Sequence, residues 1–463
     1  MGQERLQGFW ILLAATLIVS VVQFFTAEEP VSSPDNSQLD EITLSEDSLS
    51  VQSLAVVVGD SLLEGAESWE YLPAEQSRVD AFNSPLTHFF TALNQLEGKR
   101  KKVRIAYFGD SLIEGDLITQ SLRNELQEIF GGQGVGFVPI TSKTYGFRKS
   151  IRHRFSPTWQ TYNLLGRKPS TVDFGISGEL FMPASSRKAK NWVRYQGSSL
   201  YNRTQKFSSA RLFYGKDGDQ GSSDVGYMLV ETQNGNDTLF LRGSELVNKE
   251  ILPALPSEEV DISFNLPTSL PFYGVSFESD SGLHLDNFST RGHSGMNLIN
   301  IPQQMLREFD EHMEYDLVVL HFGLNVISTG RRNYDSYERG MLKVIQHFQK
   351  ALPNTDLLMI SVSDKSTKIN GVLQTDPSVP LIVEAQRKVA EQTGVGFLDL
   401  YRSMGGRNTM IRWVDANLAN SDYTHPNRRG ARVVGGIIKD YLIEKFQGFQ
   451  DHLGEQNKQH ANK

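Results

Sequence analysis

Val103-Arg104-Ile105-Ala106-Tyr107-Phe108-Gly109-Asp110-Ser111-Leu112 is the stretch that decides the fold. A run of strand length ends at a glycine, and a serine follows on a Gly-Asp-Ser turn. Ile118, Leu122, Leu126 and Ile129 then recur at helical spacing, and Gly131-Gly132 closes that helix. After Asn287 the alternation resumes. Strands are expected at Leu317–Phe322, Asp356–Val362 and Phe397–Leu400, with helices over Tyr334–Ala351 and Leu381–Thr393. A last helix carries Val434, Ile437, Ile438, Tyr441 and Leu442 on one face. Strands alternating with helices predict an α/β fold, a mostly parallel sheet covered on both faces in an α/β/α sandwich.

Between these two portions the pattern changes. Short β-rich runs at Thr171–Phe181, Trp192–Tyr195, Ala210–Tyr214, Val225–Glu231, Thr238–Leu241, Val260–Phe264 and Tyr273–Phe277 are separated by Gly, Asp, Asn and Ser. This spacing predicts an antiparallel β-sandwich inserted into the α/β domain. The expected organisation is a membrane anchor or signal peptide over 1–27, then a linker and N-terminal extension over 28–100. The α/β domain follows over 101–144 and 287–448, interrupted by the sandwich at 145–286, and 449–463 is a disordered tail.

Composition sets limits on function. The 463-residue chain has a net charge of −8, which argues against nucleic acid as a partner. Its one basic run, Arg148–Arg154, reads as a solvated strand or loop edge. With no cysteine, disulfides, thiolate zinc sites and cysteine nucleophiles are excluded. Gly8–Phe25 is uncharged and long enough to cross a bilayer as a helix. Arg5 before it and Glu28-Glu29 after it place the remainder outside the cytosol. Phe25-Thr26-Ala27 is a poor cleavage site, which favours an uncleaved anchor, and either reading exports the protein to the cell envelope.

Gly-Asp-Ser-Leu occurs twice, at Gly59–Leu62 and Gly109–Leu112. A serine hydroxyl needs a base, the base needs an orienting group, and the oxyanion needs donors. Asp422-Tyr423-Thr424-His425 supplies a carboxylate and an imidazole three residues apart, the spacing of one helical turn. Gly323-Leu324-Asn325 supplies an amide donor at a strand's C-terminal end, and Gly295 a backbone N–H. All of these follow the second copy, so Ser111 is the expected nucleophile and Ser61 a chance recurrence.

In order, Gly109-Asp110-Ser111, Gly295, Gly323-x-Asn325 and Asp422-x-x-His425 resemble the four blocks of the SGNH (GDSL-type) hydrolases. The resemblance implies a flavodoxin-like three-layer fold with Ser111 as nucleophile, His425 as general base and Asp422 as its partner. It also implies an oxyanion hole of the Ser111 and Gly295 N–H groups and the Asn325 side chain, with no cofactor and no metal. Val326 departs from the pattern of the many members that have an acidic residue after the asparagine. The start of the helix after Ser111 would add a favourable dipole. With its inserted sandwich and Met404-Gly405-Gly406-Arg407-Asn408, the chain resembles the bacterial peptidoglycan O-acetylesterases of this family. That implies an O-acetylated envelope glycan as substrate, cleaved through an acetyl-serine. An O-acyltransferase, a lipase or thioesterase, and a non-catalytic glycan-binding protein are the alternatives. Trp159, Trp192, Tyr195 and Tyr214 are candidates for stacking on sugar, although core packing is the commoner fate of such residues. Asp217-Gly218-Asp219-Gln220-Gly221 reads as a tight turn rather than a calcium loop.

Overall fold

Five parallel strands form the central sheet of the computed structural model. They are β1 (Lys102–Gly109), β2 (Gly282–Ser289), β3 (Leu317–His321), β4 (Asp356–Ile360) and β5 (Gly396–Leu398), in spatial order 2-1-3-4-5. The structure describes residues 85–96, 98, 101–184, 190–216, 225–266 and 270–461; Gly8–Phe25, Ser61 and the Asp217–Gly221 turn lie outside them. Every residue of β3 is buried, and β1 is buried from Val103 onward, as a sheet covered on both faces requires.

Eight helices among the described residues accompany the sheet. They are α1 (Thr87–Asn94), α2 (Thr119–Phe130), α3 (Gln303–Met313), α4 (Asp335–Ala351), α5 (Ser378–Thr393), α6 (Leu400–Ser403), α7 (Thr409–Asp415) and α8 (Arg428–Ala461). α8 packs on α2 and α1, whereas α3 packs on α4 and α4 on α5. Right-handed crossovers account for this division into two outer layers. The expected α/β/α architecture is therefore present, and its strand order reverses between β1 and β3, where open α/β sheets place their ligands.

Apart from a two-stranded antiparallel ribbon of 366–369 with 372–375, the remaining strands form two antiparallel sheets. One orders residues 248–251, 209–214, 272–278, 179–183 and 159–163, with 136–138 also paired to 272–278. The other orders 151–155, 191–197, 259–265, 226–232 and 235–241. Both contribute to a hydrophobic cluster running from Val135 to Phe277. Tyr195 and Tyr214 are fully buried in it, their hydroxyls donating to Pro139 O and Glu250 Oε1, so neither ring is offered to a sugar.

Three expectations shift. The antiparallel pairing begins at Gly136 rather than 145, and the parallel sheet resumes at Gly282 rather than 287. β2 was hidden because its buried positions include His284, Asp286 and Asn287. Tertiary partners satisfy two of these. Asp286 accepts from Arg104 at 3.2 Å, the Tyr315 hydroxyl at 2.9 Å and the Phe137 N–H at 2.8 Å. Asn287 donates to Ile113 O at 2.8 Å and to Thr119 Oγ1 at 2.6 Å.

The supposed tail is helix: α8 continues to Ala461. Phe446 and Phe449 anchor it against Phe90 at ring distances of 5.9 and 6.0 Å. Beyond them the sequence has no proline, and Gln456 pairs with His452 one turn back at 3.1 Å. Finally, Arg148 in the basic run is buried rather than solvated, its guanidinium 3.4 Å from the equally buried Asp116. Arg152 and Arg154 do face solvent on the strand 151–155.

Candidate active site

The C-terminal ends of β1 and β3 present Gly109-Asp110-Ser111 and Gly323-Leu324-Asn325 side by side. The second turn requires its glycine. Gly323 has φ 125°, and a Cβ there would lie 2.5 Å from Val362 Cγ1. That conformation closes β3 into the short turn Leu324–Val326 and directs Asn325 back toward the β1 turn.

Ser111, His425 and Asp422 form one hydrogen-bonded line. Ser111 Oγ lies 2.9 Å from His425 Nε2, and His425 Nδ1 lies 2.7 Å from Asp422 Oδ2. The Asp–His spacing works through a tight turn and not through the helical turn that the sequence suggested. Tyr423 takes φ 54°, and Asp422 Oδ1 accepts the N–H groups of Thr424 and His425, each at 3.0 Å. A carboxylate capping its own turn is an Asx motif, and it fixes which oxygen is left for the imidazole. Hydrogen bonds from the His425 and Thr424 N–H groups and the His425 ring hold the Asp422 carboxyl below its ordinary range, against partial burial. The Asp422 and His425 side chains keep 49% and 35% of their exposure, so a substrate reaches them from solvent.

The expected oxyanion donors are gathered at the same point but are already engaged. Asn325 Nδ2 donates to Asp110 Oδ2 and to His293 O, both at 3.0 Å. The Gly295 N–H, at a residue with φ 89°, donates to His293 Nδ1 at 3.1 Å. Among the described residues the Ser111 N–H donates to no backbone oxygen. The helix after Ser111 does not begin directly behind it. Gly115 and Asp116 adopt φ 61° and 68°, and α2 begins only at Thr119. Asp116 is held in that break by Arg123 at 2.8 Å, and the pair is fully buried.

Two residues beyond the sequence-based set complete the site. Asp110 is buried, and desolvation pushes its carboxyl up to about 6 despite bonds from the Leu112 N–H and Asn325. It fixes Asn325. His293 is buried and held down to about 4 by desolvation, so at neutral pH its uncharged Nδ1 accepts from Gly295. Both lie inside motifs visible in the sequence, but their roles depend on contacts across 215 and 2 residues respectively.

Residues 267–433 match the model of the GDSL-like lipase/acylhydrolase family. The match contains Gly295, Asn325, Asp422 and His425 and leaves out Gly109–Leu112, on the far side of the antiparallel sheets. No curated protein sequence matches the chain. Among solved structures, a peptidoglycan O-acetylesterase superposes with a TM-score of 0.62 at 21% identity, covering 80% of this chain and 98% of its own. An acetyl xylan esterase is 21% identical over 35% of this chain and 81% of its own, with a TM-score of 0.27. A salicylyl-acyltransferase from a tetracycline biosynthetic pathway is 14% identical over 64% and 98%, with a TM-score of 0.28.

Proposed function

We propose that this chain, which carries a GDSL-like (SGNH) acylhydrolase domain, is a serine esterase that removes O-acetyl groups from an envelope glycan such as peptidoglycan. The observation that carries the reading is the continuous line from Ser111 Oγ through His425 to Asp422 at the switch point of the sheet. The likeness in fold to a peptidoglycan O-acetylesterase supports the choice of acyl group and glycan. Gly8–Phe25, read as an anchor, suits a substrate outside the cytosol.

In the proposed reaction Ser111 Oγ attacks the acetyl carbonyl while His425 Nε2 takes its proton. Asp422 keeps the Nδ1–H tautomer and stabilises the imidazolium. Collapse of the tetrahedral intermediate breaks the carbonyl–sugar oxygen bond, and His425 returns the proton to the departing sugar hydroxyl. Water, activated by His425, then hydrolyses the acetyl-serine. The oxyanion is met by the Ser111 N–H, and by the Asn325 amide and Gly295 N–H as they share or release their resting partners.

Acetate release from intact O-acetylated peptidoglycan, set beside acetylated xylan, tests this. Ser111→Ala abolishes release and Ser61→Ala retains it. A protein that cleaves simple esters yet frees no acetate from either polysaccharide refutes the glycan assignment, and acetyl transfer to a sugar acceptor with little free acetate makes it a transferase.

A further inference from the structure

A cavity of about 910 Å³ lies between the antiparallel ladder of 159–163 with 179–183 and the loop from Pro139 to Arg148. Its wall includes near neighbours in the chain of Ser111 and of Gly295. Glu114 and Gly115, three and four residues beyond Ser111, form part of its wall, as do Thr290 and Arg291 on the approach to Gly295. The wall is tied to the catalytic turn, since Arg428, three residues past His425, donates to Phe147 O at 2.9 Å.

Two independent features mark this cavity as a place for a ligand. Tyr145, Phe147 and Leu165 line it while 49%, 44% and 50% exposed, which puts three of the eleven large exposed apolar side chains of the described residues on one rim. Glu179 also lines it, and among the described residues no group hydrogen-bonds or ion-pairs with its carboxyl. Every other carboxylate at this junction has a partner: Asp116 holds Arg123 and Arg148, and Glu114 holds Arg291. Glu179 is half-exposed toward the cavity, so its carboxyl is open to a ligand that enters there. Desolvation pushes it up to about 8, with only the charge of Lys143 opposing, which favours the protonated form that both donates and accepts.

We propose that this cavity is the glycan subsite of the enzyme, with Glu179 hydrogen-bonding an uncharged polar group of a sugar ring whose faces pack on the aromatic rim. This rests on the esterase reading above, and it assigns to Glu179 a specificity role rather than a part in the chemistry. Neutral hydrogen bonds to sugar groups and stacking on apolar ring faces are complementary demands that a cavity of this size meets together.

The test separates binding from turnover. Soluble deacetylated peptidoglycan fragments are titrated calorimetrically into Ser111→Ala protein carrying Glu179, Glu179→Gln or Glu179→Ala. Each Glu179 variant is also assayed with intact Ser111 on p-nitrophenyl acetate, whose turnover within about twofold of the parent reports a folded site. Glu179→Ala weakens fragment binding about tenfold, while Glu179→Gln, which keeps a donor and an acceptor, stays within about threefold. Equal losses in both variants mean that a cation is recognised instead and overturn the proposal, as does binding that ignores Glu179 or fails in the Ser111→Ala parent. If fragments bind through Glu179 but no acetate is released from acetylated glycan, the esterase assignment falls and the subsite stands. If acetate is released from acetylated glycan equally well by Glu179→Ala, the subsite falls and the esterase assignment stands.

Discussion

Replacing Asp422 by asparagine should harm catalysis more than deleting its side chain, and the geometry of the turn says why. Asp422 Oδ1 already accepts two backbone N–H groups at 3.0 Å, and Oδ2 faces His425 Nδ1 at 2.7 Å. An asparagine has one acceptor and one donor end. With its oxygen toward the two N–H groups, its NH₂ points at Nδ1 and selects the tautomer protonated on Nε2, which cannot accept the Ser111 proton. Turned around, the NH₂ opposes two backbone donors. Either arrangement loses a charge-assisted bond, about 1.5–3 kcal/mol when fully realised. Because Asp422 is 49% exposed, screening pulls that toward the lower figure, about tenfold in rate. The mismatched donor adds about 1–2 kcal/mol more. Asp422→Ala, whose gap water fills, should therefore lower kcat about tenfold, and Asp422→Asn about 70- to 400-fold. The assay is steady-state hydrolysis of p-nitrophenyl acetate, with thermal unfolding to confirm an unchanged fold. An asparagine variant as active as the alanine variant, or more so, refutes the tautomer argument.

Asn325→Ala should cost about 10²–10³-fold in kcat, the usual loss for an oxyanion donor, with little change in KM. A loss confined to thermal stability would show that its bonds to Asp110 and His293 are its whole purpose. His153 is buried, held down to about 3 mainly by desolvation, and stacked on Tyr195 with centroids 4.8 Å apart. Its folded pKa lies below the unfolded value, so it draws stability out of the fold as pH falls from about 6.5 toward 3, by at most about 1.4 kcal/mol per pH unit. Urea unfolding at pH 7 and pH 5 should show a smaller loss for His153→Gln than for the parent, and equal losses would exclude this residue as a source of acid sensitivity.

The strands that could be read from the sequence were those whose apolar runs agree with their burial, such as Leu317-Val318-Val319-Leu320. β2 escaped because a strand carrying His284, Asp286 and Asn287 looks solvated until Arg104, Tyr315 and Thr119 arrive from elsewhere in the chain. The hydrogen-bonded line of Ser111, His425 and Asp422 was legible because each member sits in a short motif on a suitable element. What motifs do not encode is orientation. The Asx turn at Asp422, the engaged N–H of Gly295 and the late start of α2 all depend on backbone torsions at Tyr423, Gly295 and Gly115–Asp116. The cavity around Glu179 was invisible for a further reason: its walls come from segments more than 100 residues apart.

The antiparallel sheets leave the α2–β2 connection and return to it at a single point. The Ser279 N–H donates to Gln133 O at 3.1 Å, and the Gln133 N–H to Ser279 Oγ at 2.9 Å, across 146 residues. Departure and arrival are thus no farther apart than the rungs of a ladder, so the crossover is almost closed without the excursion. Such a junction lets a lineage gain or shed the whole antiparallel module at one locus while the parallel sheet keeps its geometry, and it marks where a protein engineer would cut to exchange that module for another.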